Sequence, residues 1–187
     1  MSSNWYNHGS IESVNYQCGY CGKDIISDKG YWTDPRVGEK GLIAICHYCN
    51  RPTYFDSQSN QYPGSFFGST VYHIPTKEIS ELYNEARRCM AVNAYTASIL
   101  CNRKLLMNIA ISKGAEKGLS FQKYVDYLEL KGCIPPEGKD CVNHIREKGN
   151  EATHEIRMMS QEDAEDLITF TEMLLKFIYE FPYKNGD

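Results

Sequence analysis

Residues 18–49 read CGYCGKDIISDKGYWTDPRVGEKGLIAICHYC, and this stretch begins and ends with a pair of cysteines separated by two residues. Each short turn aims two thiolates at a common centre, and two such turns complete the tetrahedral shell that structural zinc prefers. The short apolar runs between them, bounded by turn residues, indicate a hairpin that brings the turns together. The spacing therefore predicts one structural zinc ion with four ligands, which are Cys18, Cys21, Cys46 and Cys49.

Four sulfur ligands leave no open coordination position, so the predicted zinc ion organises the fold and takes no part in chemistry. Gly19 and Gly22 lie in and just after the first turn, where a tight turn often needs a positive φ angle. Three alternatives stay open at this point. The thiols could be unliganded, one pair could be redox-active, or His47 could replace a cysteine as a ligand.

The overall composition is that of a globular protein. The 187 residues are 42% hydrophobic and 24% charged, with a formal net charge of −4 that argues against non-specific coating of nucleic acid. No apolar run is long enough to span a bilayer, and the polar start lacks the layout of a signal peptide. We therefore expect no membrane association and a cytoplasmic location. In that reducing compartment the eight cysteines favour metal binding over disulfides. Four of them lie in the helical part without ligand spacing and are expected to be ordinary core or boundary residues, namely Cys89, Cys101, Cys133 and Cys141.

The character of the sequence changes at Pro75. Residues 1–75 are rich in Gly, Tyr, Asn and Ser and predict short strands, whereas residues 76–187 have helical periodicity. We predict a mainly α protein of two domains, in which a small β zinc ribbon (1–75) precedes an antiparallel helical bundle (76–187). The aromatic residues before the boundary are either a docking surface or contacts between the domains, and they are Tyr54, Phe55, Tyr62, Phe66, Phe67 and Tyr72. The predicted helices span residues 76–90, 93–112, 120–130, 137–154 and 160–181. Thr76 is the expected cap of the first helix, and Ser160 with Asp163 resembles a capping box at the start of the last one. The last helix carries an apolar stripe of core residues before Pro182 ends it, and these include Leu174, Phe177 and Phe181.

Charge is distributed unevenly along the helical half. Residues 86–115 contain no acid but include Arg103 and Lys104, whereas acids outnumber bases six to one in residues 160–180. These charges pair within the bundle or simply stay solvated, or else the basic helix forms a surface that faces phosphate.

A second candidate site lies in HIREKGNEATHEIR, residues 144–157. On a helix Arg146, Asn150 and His154 follow at i, i+4 and i+8 and share one face. An arginine that holds phosphate and a histidine that moves a proton would suit metal-independent RNA cleavage. Alternatively, Asn150 and His154 fasten the end of the helix by hydrogen bonds while Arg146 pairs with an acid.

The helical half resembles the domain of unknown function family 4145, which is placed with the HEPN-like helical bundles. The matching segments are EARRCMAVNAYTASILCNRKLLMNI (85–109), KGCIPP (131–136), HIREKGNEATH (144–154) and SQEDAEDLITFTEMLLKFIYEFP (160–182). The resemblance implies an antiparallel HEPN-like bundle, often preceded by a zinc ribbon and commonly paired into homodimers. It also implies association with prokaryotic restriction and phage-defence systems.

The segment departs from the pattern of active HEPN ribonucleases. Arg146 and His154 stand further apart than that pattern allows, and Lys148 cannot grip phosphate through two hydrogen bonds as arginine does. We therefore predict a non-catalytic module that binds RNA, DNA or a protein partner in a defence or regulatory complex. The alternative is a metal-independent endoribonuclease whose site forms in a dimer from Arg146, Asn150 and His154.

Overall fold

The computed structural model describes residues 8–34, 36, 38, 40–134 and 158–184, and for residues 183 and 184 it describes the backbone only. Contacts divide the chain into two compact units, Met1–Phe66 and Phe67–Asp187. The predicted domain boundary between residues 75 and 76 stays a prediction. None of the described helices combines the length and the apolar character that crossing a bilayer requires.

The N-terminal unit is a sheet of five antiparallel strands that pair in chain order. The strands are β1 (Gly9–Gln17), β2 (Asp24–Trp32), β3 (Leu42–Ile45), β4 (Pro52–Phe55) and β5 (Gln61–Tyr62). The cysteine turns connect β1 to β2 and β3 to β4, so both turns lie at the same end of the strands. Beside them Tyr16 and Phe55 pack edge to face, with ring centroids 5.2 Å apart, and close the small core. The predicted short strands are confirmed.

The second unit is helical. Its described helices are α1 (Lys77–Ala91), α2 (Tyr95–Ser112), α3 (Phe121–Leu130), α4 (Gln161–Leu175) and α5 (Phe181–Lys184), with a π-helical turn at Lys176–Glu180 between the last two. Helix α2 packs against α1, α3 and α4 and supplies the centre of the core. Its fully buried apolar residues are Ile99, Leu105, Leu106, Ile109 and Ala110. The helix predicted over residues 137–154 lies outside the described residues.

The helix ends follow the capping residues in the sequence, with one exception. Ser160 and Asp163 form the predicted capping box at the start of α4, and Ser120 accepts a hydrogen bond from the Lys123 amide at the start of α3. Thr76 occupies the N-cap position of α1, but its hydroxyl makes no capping bond. Its carbonyl accepts the Ser80 amide, which is the ordinary first hydrogen bond of the helix.

The last helix differs from the prediction in two respects. We expected the helix to end at Pro182, whereas the helical backbone continues to Lys184 through the π-helical turn. A π turn is wider than an α turn, which relieves the clash between a proline ring and the carbonyl four residues earlier. The extra residue in that turn also rotates the following side chains. Phe177 and Phe181 are therefore 41% and 47% exposed, although their spacing predicted core positions beside Leu174.

Residues 67–72 are fastened to the helices by buried polar groups. Arg87, which is only 3% exposed, donates to the carbonyls of Phe67 and Gly68 at 2.9 and 2.7 Å. On α4, Glu172 accepts the Ser69 amide at 2.7 Å and the Tyr83 hydroxyl at 3.3 Å. These bonds give an extended segment the partners that a sheet would otherwise provide.

Candidate metal centre

The structure brings the four predicted cysteines together. The potential ligand atoms of Cys18, Cys21, Cys46 and Cys49 all lie within 4.8 Å of one another. The Sγ atoms of Cys18 and Cys49 are 3.7 Å apart, and those of Cys21 and Cys46 are 3.8 Å apart. These separations are far too long for disulfides. Four sulfurs around an ion at a metal–sulfur distance of about 2.3 Å lie about 3.8 Å apart, so the cluster fits a tetrahedral metal ion.

The two turns share one backbone design. In the first, the Cys18 amide donates to the Lys23 carbonyl and the Gly22 amide to the Cys18 carbonyl, at 2.9 and 2.7 Å. In the second, the Cys46 amide donates to the Arg51 carbonyl at 3.0 Å, while the carbonyl of Cys46 accepts the Asn50 amide at 2.8 Å. The residue after each second cysteine has a positive φ angle, +69° at Gly22 and +57° at Asn50. Glycine and asparagine are the residues that tolerate this conformation best.

Gly19 is required for a different reason than the sequence predicted. Its φ angle is not among the positive ones, but a Cβ atom there would lie 2.7 Å from the Pro63 carbonyl oxygen and closer still to that of Gly64. The segment after β5 therefore packs directly on the first turn. Gln61 holds this segment by donating from Nε2 to the Gln17 carbonyl at 2.8 Å.

Burial and mutual proximity oppose ionisation of the thiols while they hold no metal. Burial raises the pKa of Cys21 and, further, that of Cys49. Burial also acts on Cys46, but backbone N–H groups of Cys49 and Tyr48 outweigh it and lower the pKa of that thiol. Several thiolates at these separations repel one another unless a cation compensates them. Metal binding is therefore expected to release protons.

His47 does not belong to the cluster. It is exposed, and its ring lies against the Tyr48 ring with centroids 4.4 Å apart, in contact with a neighbour in its own turn. The interpretation of His47 as a ligand is therefore not supported by the geometry, and the group of potential ligands contains cysteines only.

The described cysteines of the helical unit are not part of this cluster. Cys89 and Cys101 are half-buried, Cys133 is buried, and all three are free. Burial raises the pKa of Cys101 to about 11, so its thiol stays protonated at neutral pH. These residues have the role of ordinary core and boundary positions that the sequence suggested, whereas Cys141 lies outside the described residues.

The second predicted site cannot be placed in the same way. Arg146, Asn150 and His154 lie outside the described residues, so their roles stay predictions. Sequence reasoning missed Lys23 and Arg51, which contact the tyrosines of the two turns. The sequence does contain a sign of these contacts. CGYCGK (18–23) and CHYCNR (46–51) share a tyrosine before the second cysteine and a basic residue two positions after it.

Together the fold and the cluster define a protein with a four-cysteine candidate metal site in one unit and a helical second unit. A family model described as a domain of unknown function (DUF4145) matches residues 84–187, more than half of the chain. The chain belongs to this family. Searches of curated proteins and of solved structures found no match to the chain.

Proposed function

We propose that the chain is a zinc-binding module made of a zinc ribbon and a HEPN-like helical bundle. The observation that carries the proposal is the separation of the paired Sγ atoms, 3.7 and 3.8 Å, which is that of a tetrahedral four-sulfur shell. Such a shell suits zinc or iron. Zinc is the metal proposed, because it is redox-inert and four cysteines are a common ligand set of its structural sites.

The proposed module is non-catalytic and binds a nucleic acid or a protein partner in a prokaryotic defence or regulatory complex. A filled sulfur shell gives a metal no position for substrate, which supports a structural ion. The N-terminal unit also exposes large aromatic side chains on its strands, with Trp32 60%, Tyr54 44% and Tyr62 49% accessible. Aromatic residues are enriched at interfaces, and nucleic-acid bases also stack on them.

Binding assays with the full chain as purified separate the possible partners. Fluorescence anisotropy with labelled single-stranded RNA, single-stranded DNA and duplex DNA is measured before and after metal removal by a chelator. A nucleic-acid partner predicts saturable binding that metal removal weakens. If the chain binds none of the three nucleic acids, the remaining possibility is a protein partner. Binding is then measured against the proteins encoded by neighbouring genes. Turnover of RNA by the wild-type chain would contradict the non-catalytic proposal.

The competing proposal is a metal-independent endoribonuclease that acts as a homodimer. It rests on the spacing of Arg146, Asn150 and His154 in the sequence, which on a helix would place a phosphate-binding group and a proton-transfer group on one face. Sedimentation at the dimer mass together with metal-free cleavage of single-stranded RNA would support it. A monomer that leaves RNA intact would exclude it.

A further inference from the structure

A buried arginine in the helical unit has no counter-charge among the described residues. Arg103, on α2, is 9% exposed, and its Nη1 atom is buried without a hydrogen-bond acceptor. Its guanidinium carbon lies 4.1 Å from the centroid of the Phe121 ring, the first residue of α3. Stacking on an aromatic face orients a guanidinium but does not neutralise its charge.

Arg103 lies in a basic part of the sequence. The segment 86–115, which includes all of α2, contains no acidic residue, and the first turn of α3 contains none either. Lys104 follows Arg103 on α2, and Lys123 lies in the first turn of α3. In the part of the chain that the structure describes, the amides of Phe121 and Gln122 have no hydrogen-bond acceptor. Free amides at the start of a helix favour an anion.

An uncompensated guanidinium in this position is costly to the folded state. Burial lowers the pKa of Arg103, but arginine stays charged at any physiological pH, so it cannot escape the cost by losing its proton. A buried charge therefore needs an anion with oxygen acceptors. The planar fork of arginine matches an oxyanion that can accept two parallel hydrogen bonds.

The geometry points to a phosphate-binding site in which Arg103, stacked on Phe121 at the N-terminus of α3, is the anchor. Phosphate offers several oxygens, one pair for the guanidinium and others for helix N-terminal amides, which a carboxylate cannot serve together. The ligand is a phosphate group, supplied either by a free nucleotide or by the backbone of a nucleic acid. This site goes beyond the proposed function, because it lies in the helical unit and does not involve the metal.

The test follows the Arg103 side chain directly by NMR. In full-length ¹⁵N-labelled protein with its metal, the Nε–Hε resonance of Arg103 is followed while inorganic phosphate is added. We expect a saturable shift, and about tenfold weaker phosphate binding in Arg103→Lys, because lysine cannot bind two oxygens in parallel. The control is Lys77→Gln, which removes an exposed charge at the start of α1, outside the proposed site, and should leave phosphate binding unchanged. If Arg103→Lys fails to fold, the wild-type titration still decides the question.

Two further titrations identify the source of the phosphate. ADP stands for a free nucleotide, and a short single-stranded RNA stands for a phosphodiester backbone; each is added in place of inorganic phosphate. Whichever shifts the Arg103 resonance at the lower concentration is assigned as the ligand class. The proposal is overturned if no phosphate compound shifts that resonance, which is the result expected of a guanidinium already held by an acid of the chain. It is equally overturned if Lys77→Gln abolishes binding, since diffuse surface charge would then suffice.

Discussion

Lys23, which follows the first cysteine turn, holds its Nζ atom 4.1 Å from the ring centroid of Tyr48 in the second turn. The reverse contact is also present, because Arg51 after the second turn lies with its guanidinium carbon 5.0 Å from the ring centroid of Tyr20 in the first. The tyrosine of each turn thus contacts the basic residue that follows the other turn. The two cation–π contacts brace the turns across the candidate metal site and place positive charge near the thiolates.

The first prediction concerns this crossed brace. Tyr48→Leu removes the ring beneath Lys23 and should destabilise the metal-loaded N-terminal unit by about 0.5–1 kcal/mol, the usual size of an exposed cation–π contact. Tyr48→Phe keeps the ring and should stay close to wild type. The measurement is the rate at which a chelator removes the metal, which should rise in the leucine variant only. Equal rates in the two variants would show that the ring contributes nothing.

The second prediction concerns the close approach of the chain to Gly19. Gly19→Ala forces a Cβ atom against the Pro63 and Gly64 carbonyls and should lower the free energy of unfolding by about 1–3 kcal/mol, since backbone must move. Gly38→Ala is the matched control, because a Cβ there has no atom within 4 Å. Thermal unfolding of the metal-loaded protein measures both. If Gly19→Ala unfolds at the same temperature as Gly38→Ala, residues 63–64 do not pack on the turn as described.

The metal site could be predicted from the sequence because its geometry depends on residues close together in the chain. Two residues between paired cysteines fix the direction of both thiols, and the positive φ angle of Gly22 follows from the turn that joins them. The steric need for glycine at position 19 could not be predicted in this way. It arises from the carbonyls of Pro63 and Gly64, which are remote from Gly19 in sequence and close to it in the folded chain.

The helical unit shows the same division between local and remote causes. The capping box of Ser160 and Asp163 depends on two residues only three positions apart, and it was predicted correctly. The exposure of Phe177 was not, since a regular α period was assumed where the chain inserts a π turn. The burial of Arg87 could not be predicted either. Its hydrogen-bond acceptors are the backbone carbonyls of residues 67 and 68, and the sequence does not show which backbone groups an arginine will contact.

The third prediction is a pH effect centred on Glu172. Burial raises the pKa of this carboxyl, but hydrogen bonds from Lys176 and Ser69 outweigh it and hold the pKa below the ordinary value of 4.5. The stability it contributes is therefore fully present above that value and is lost as the pH falls through the lower, folded-state pKa. Glu172→Gln should cost about 1–3 kcal/mol at neutral pH and flatten the loss of stability in acid.

Chemical unfolding followed by far-ultraviolet circular dichroism at several pH values measures this effect. Glu81→Gln is the control, because Glu81 is an exposed acid on α1 and its removal should leave the free energy of unfolding at neutral pH unchanged. A Glu172→Gln variant with wild-type stability at neutral pH would show that the bonds to Ser69 and Tyr83 do not hold the segment.

The fourth prediction separates the binding module from the ribonuclease. We expect His154→Ala to lower the free energy of unfolding by about 1–3 kcal/mol, the usual cost of stranding hydrogen-bond partners in a buried network. Binding to nucleic acid or a partner should persist in the folded variant. Incubation of single-stranded RNA with chelator present provides the other readout. Cleavage by the wild type that a normally folded His154→Ala variant loses would favour the enzyme, with Arg146 and Asn150 as its catalytic partners.

The most direct test of the central claim is the metal content of the chain after purification without chelator. Elemental mass spectrometry should find one zinc per chain in the wild type and in Cys133→Ser, a control that removes a thiol outside the cluster. Cys18→Ser and Cys49→Ser should lose the metal while the helical far-ultraviolet signal largely persists. Iron in place of zinc would contradict the proposed ion. A wild-type chain without metal, or a Cys18→Ser chain that still holds a full equivalent, would contradict the four-cysteine site itself.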